Sequence, residues 1–86
     1  MPGFRVVTAA GEMRVGRIVG EQGGYYVVRR WLSRKRYPLP KRETIVDVER
    51  RRVLMRVPRS ILFDAPEVGR NGELGSGTDL YYSDDR

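Results

Sequence analysis

The sequence predicts an all-β fold: a small antiparallel β-barrel with a closing helical turn and a disordered acidic C-terminal tail. Three observations predict it. Short β-branched and aromatic runs recur between Gly and Pro punctuation, no apolar spacing at helical period is sustained, and residues 67–86 carry few apolar side chains.

Residues 4–8 and 13–19 form the first expected hairpin, joined by Ala9-Ala10-Gly11-Glu12, where Gly11 supplies the positive φ of a tight turn. Val15 and Ile18 cannot both face inward from a regular strand, so Gly16 between them marks a bulge, a bend that a small barrel needs. Gln22-Gly23-Gly24 makes the next turn. Residues 25–30 follow as a strand that is apolar on both faces until Arg29, and one of those faces is expected to be covered by a partner. Residues 31–35 are a connection, polar after Trp31. Residues 36–40 are extended, and Pro38 and Pro40, which donate no ladder hydrogen bond, place them at an edge or strand end. Beyond the turn at residues 41–44, Val46 and Val48 alternate with Asp47. Glu49-Arg50-Arg51 turns the chain, and Val53, Met55 and Val57 alternate with Leu54 and Arg56. Pro58-Arg59-Ser60 precedes one helical turn, expected to lay Ile61 and Leu62 across the open end of the barrel. From Glu67 onward Gly, Ser, Asp and Asn dominate, too little apolar surface to offset the entropy of ordering. The barrel is therefore assigned to residues 1–66 and a flexible tail to 67–86.

The order of these pieces resembles the PRC-barrel superfamily, in particular its small stand-alone bacterial members of uncharacterised function. The resemblance rests on residues 6–12 leading into Val15-Gly16-Arg17-Ile18-Val19, on Gly24-Tyr25-Tyr26-Val27-Val28 and on Tyr37-Pro38-Leu39-Pro40. It continues through the hairpin at residues 45–57 to Pro58-Arg59-Ser60-Ile61-Leu62, covering about residues 4–66. It implies a PRC-type, SH3-like antiparallel barrel that binds macromolecules, as do the cytoplasmic domain of the photosynthetic reaction-centre H subunit and the C-terminal domain of ribosome-maturation factors. Neither the membrane helix of the first nor the N-terminal domain of the second stands in this sequence, so their particular partners do not carry over.

An 86-residue chain has room for one domain with a thin core, which self-association would help, and a homodimer is expected. With no cysteine there is neither a disulfide framework nor a Cys/His metal cluster, which favours a cytoplasmic location. The longest apolar runs, residues 25–28 and 61–63, are far shorter than a membrane span, and residues 1–10 lack a signal-peptide core.

The absence of His and Cys removes the commonest catalytic bases and nucleophiles, and the sequence is read as that of a non-enzyme. Asp47 points away from the buried face of its strand, while Glu12, Glu43 and Glu49 fall in turns. Asp79, Asp84 and Asp85 lack the spacing and turn glycine of a calcium loop. Residues 69–77 contain no Lys followed by Ser or Thr and do not form a phosphate loop, so no cofactor is expected. Tyr81-Tyr82-Ser83-Asp84-Asp85 reads as a short peptide motif, a chance pair of tyrosines, or a tail folded back onto the basic surface.

The net charge of +6 is unevenly placed: residues 29–59 hold twelve Lys or Arg against three acids, and residues 60–86 hold two against six. Fifteen of the seventeen basic residues are Arg, whose planar fork suits carboxylates and phosphates. The one constellation with functional content is Arg29, Arg30, Arg34, Lys35, Arg36, Lys41 and Arg42, interleaved with Trp31 and Tyr37 and preceded by Tyr25 and Tyr26. Arg50-Arg51-Arg52 forms a second cluster at a hairpin tip. Three accounts fit the first: core or dimer aromatics among solvating arginines, a surface for an acidic protein partner, and a groove for nucleic acid. The function inferred from sequence is an adaptor or assembly module that binds a protein partner through this basic surface. The alternative is an RNA-binding barrel linked to ribosome maturation or RNA metabolism.

Overall fold

The computed structural model describes residues 2–83. Its six strands are β1 (Arg5–Thr8), β2 (Arg14–Gln22), β3 (Tyr25–Arg30), β4 (Arg36–Pro40), β5 (Thr44–Asp47) and β6 (Arg52–Met55). They form a single sheet in the order β4-β3-β2-β1-β6-β5. Two short helices follow, α1 (Arg59–Phe63) and α2 (Thr78–Tyr81). No helix among the described residues is long and apolar enough to cross a membrane.

The mostly β class is as expected; the closed antiparallel barrel is not. β1 and β6 run parallel, with Arg5 beside Arg52 and Thr8 beside Met55, and all of β2 to β5 serves as their crossover. The sheet stays open, with β4 and β5 as its edges. Pro38 and Pro40 deprive β4 of two ladder donors, which suits an edge strand.

One face of the sheet curls around the main core. Val6, Ile18, Val28, Leu39, Val53 and Met55 lie within it, and Leu62 of α1 closes it from one side. Ile61, expected beside Leu62, faces outward, and the second contact of α1 is Phe63, whose ring centroid is 5.2 Å from that of Tyr37. Val48, expected to continue the inward alternation of β5, lies past the strand end and is exposed.

The bulge falls where Val15 and Ile18 demanded it. Val6 stands opposite Gly16 and Val7 opposite Arg14, so Val15 is the extra residue, and both Val15 and Ile18 are buried. At this point β3 passes so close that a Cβ on Gly16 would stand 1.9 Å from the carbonyl oxygen of Arg29. Only glycine permits that approach.

The tail expected to be disordered is packed as far as Ser83, while Asp84, Asp85 and Arg86 lie outside the described residues. Tyr25 and Val27 project from the outer face of β3 directly opposite Pro40 and Pro38 of β4. Tyr25 belongs to a second apolar cluster, in which it is buried with Ala65 and Tyr82. The Tyr82 hydroxyl donates to the Pro38 carbonyl at 2.7 Å, and the Tyr25 hydroxyl donates to Asp79 Oδ1 at 2.6 Å. The Val68 amide donates to the Arg36 carbonyl on the free edge of β4 at 2.9 Å. Composition misleads here because a few well-placed side chains, Val68, Thr78 and Tyr82, find a ready apolar surface. The two-faced run at residues 25–28 is thus covered from within the chain, where the sequence assigned that role to a partner. Burial, reinforced by the Asp79 carboxylate, pushes the Tyr25 hydroxyl up to about 12. Burial, with Tyr81 and Tyr25 beside it, raises that of Tyr82 as well.

Candidate anion-binding face

Strand register places one arginine from each of five adjacent strands in a row. Arg36 of β4 is opposite Arg29 of β3, Arg29 opposite Arg17 of β2, Arg17 opposite Arg5 of β1, and Arg5 opposite Arg52 of β6. Each adjoins a core residue in its own strand, respectively Tyr37, Val28, Ile18, Val6 and Val53. Strand alternation therefore turns all five to the outer face. With strands about 4.8 Å apart, the row spans about 19 Å.

Among the described residues the charge of this row is balanced at one end only. Asp47 of β5 stands opposite Arg52, and Arg52 pairs with it at 3.3 Å and with Glu12. The Glu12 hydrogen bond, followed by the other contributions of the two acids, raises the Arg52 pKa. Arg17 donates to the Gly3 carbonyl at 2.9 Å, a neutral partner. Arg29 stands between Arg17 and Arg36, and the Nε of Arg36 is buried without a hydrogen-bond partner. Like charges directly opposite in a sheet destabilise it, on the scale of the roughly 0.2–1 kcal/mol that favourable cross-strand pairs contribute.

A groove of about 500 Å³ follows the row from Arg52 past Arg5 and Arg17 to Arg29, with Glu12 the one acid lining it among the described residues. Beyond Arg29 a second depression is walled by Arg29, Arg34, Arg36 and Arg70. The β3–β4 connection overhangs this junction. There the Trp31 amide donates to the Val15 carbonyl at 3.0 Å, and the Arg14 guanidinium sits 4.3 Å from the centre of the indole ring. Trp31 is nevertheless 52% exposed, and Leu32 beside it, held at φ 59°, is 85% exposed.

Of the nine residues proposed from sequence, Arg29, Arg30, Trp31, Arg34 and Arg36 line these depressions together. Arg30 also places its guanidinium 4.2 Å from the centre of the Phe63 ring. Lys35 is exposed in the same connection, 4.0 Å from Glu67. Tyr37 does not belong to the surface: it is 3% exposed and packs on Phe63, because its position in β4 alternates inward. Lys41 and Arg42 stand at the opposite end of β3, where the Lys41 amide bonds to the Gly24 carbonyl. Lys41 is paired with Glu21 at 2.6 Å, which raises its pKa and lowers that of Glu21. Arg42 donates to the Tyr82 carbonyl and so holds the C-terminal segment.

Sequence reasoning missed Arg5, Arg14, Arg17 and Arg70, and placed Arg52 in a separate cluster. A signal was available for three of them. Arg5, Arg17 and Arg52 sit one residue from an apolar core position within a strand, the same offset as Arg29. Among the described residues no three acidic side chains converge as a metal site would require.

No family model matches the chain, and neither a curated protein nor a solved structure shows significant similarity to it.

Proposed function

We propose that this protein is a non-enzymatic binding module, an adaptor that holds an anionic partner on the arginine row of its outer sheet face. One observation carries the proposal: four successive like-charge pairs stand in direct register, and among the described residues only the Arg52 end has acidic partners. Folding alone disfavours such an arrangement, whereas an anion laid along it would relieve the repulsion and gain charge-assisted hydrogen bonds. Both anions weighed from the sequence, an acidic protein surface and a nucleic acid, meet this charge requirement. The PRC-type family assignment belongs to the same proposal, resting on the order of the sequence pieces and compatible with a binding role.

Retention on an immobilised polyanion such as heparin tests the assigned face. The double variant Arg29→Glu/Arg34→Glu should elute at a much lower salt concentration than the native chain while melting at the same temperature or above it. Both side chains are exposed, and the new Glu at position 29 would sit between Arg17 and Arg36. Elution of the variant at the native salt concentration would remove the row from the binding surface.

A further inference from the structure

We infer that the anion is a single-stranded nucleic acid, its phosphates following the arginine row and one unpaired base stacking on Trp31. This inference rests on the proposed anion-binding face and names its ligand class. Three observations favour it over an acidic protein.

The first is linearity. Arg5, Arg17, Arg29 and Arg36 occupy adjacent strands in register, so their spacing is set by the sheet and repeats evenly. Evenly repeated charge suits a polymer with one anion on every unit, and the guanidinium fork accepts phosphate oxygens in pairs. The second is the shortage of apolar anchors. A protein interface needs a buried aromatic and aliphatic centre, but the prominent apolar side chains at this groove are Trp31 and Leu32, both at one end. The third is the indole itself. Arg14 lies against it at 4.3 Å and the Trp31 amide is tied to Val15, so the ring is held beside the phosphate track while half of the residue stays open. A fixed, exposed aromatic next to a basic groove is the arrangement that holds single strands through base stacking and phosphate contacts. Such stacking needs an unpaired base, which a duplex does not offer.

The test uses the full chain and three probes: labelled oligouridylate, the duplex it forms with oligoadenylate, and poly-glutamate of matched charge. Oligouridylate should bind tightest. Its log affinity should fall with log salt with a slope of about −3, as four neutralised phosphates require for a single strand. Arg29→Gln should reduce that slope by about 0.7. Trp31→Ala should weaken oligouridylate binding about tenfold with the slope unchanged, and Trp31→Phe should recover most of the loss. Thermal melts of each variant exclude unfolding as the cause. Duplex or poly-glutamate binding as tight as that of oligouridylate overturns the inference, as does a Trp31→Ala variant that binds oligouridylate like the native chain. If Arg29→Gln instead leaves the binding of all three probes unchanged, the proposed face fails as well, which separates the two results.

Discussion

The outer face of β3 and β4 changes character halfway along. At one end Tyr25, Val27, Pro38 and Pro40 are buried and the C-terminal segment packs there, with Tyr82 against Tyr25 and bonded to the Pro38 carbonyl. Two residues further along β3, Arg29 stands open between Arg17 and Arg36. The apolar end is satisfied by the chain's own residues, and its packing accounts for it. The arginine end has no such account within the fold: repulsion across the row opposes folding, and among the described residues the acids paired with the row, Glu12 and Asp47, both serve Arg52. The difference separates a surface shaped by stability from one shaped by an external anion.

The largest effect should come from the position that sets both regions, since Gly16 fixes how closely β2 approaches β3. Gly16→Ala places a methyl 1.9 Å from the Arg29 carbonyl oxygen, so the strands must separate. A loss of about 3 kcal/mol or more is expected, read as a lower denaturation midpoint. Arg29 and Arg17 would lose their register with it. A native midpoint in this variant would show that β2 and β3 do not pass so closely.

A smaller effect is expected at the apolar end. Tyr82→Ala should destabilise by about 2 kcal/mol through lost packing on Tyr25, and Tyr82→Phe by about 1 kcal/mol through the lost bond to Pro38. Neither should change polyanion binding, because the second cluster does not line the arginine groove. The same contacts predict a response to alkali. Tyr25 and Tyr82 hold their protons above the ordinary tyrosine value of about 10, so the stability they contribute is complete below that pH. It is lost as pH rises through about 12, where Tyr25 ionises. Tyrosinate absorbance should therefore show these two titrating late, together with release of the C-terminal segment. Titration of all tyrosines near pH 10 would mean that the segment does not pack.

Much of the sheet was legible because its signals are local. Alternation in residues 53–57, the prolines of β4 and the odd spacing of Val15 and Ile18 each report on a few neighbouring residues, and the bulge at Gly16 followed from that spacing alone. What was not legible depends on pairing across the chain. Nothing near Arg5 or Arg52 announces that β1 and β6 lie side by side in parallel, so the row could not be assembled from sequence and only its Arg29 to Arg36 portion was found. The C-terminal segment illustrates the same limit. Tyr82 is buried because Tyr25 and Pro38 lie beneath it, and composition within residues 67–86 carries no record of that surface. The apolar outer face of residues 25–28 did signal that something must cover it, but it could not signal what.

The central claim is that the arginine row is kept for binding at the expense of stability. Arg29→Thr tests it most directly, since Thr suits an exposed strand position and the change removes the charge shared by the Arg17 and Arg36 contacts. Thermal unfolding at low salt should show the variant more stable by about 0.5 kcal/mol, a rise of roughly 2–4 °C for a domain of this size. The gain should shrink as salt screens the row. A melting temperature lowered by a similar amount would show that Arg29 stabilises the fold and would contradict the account.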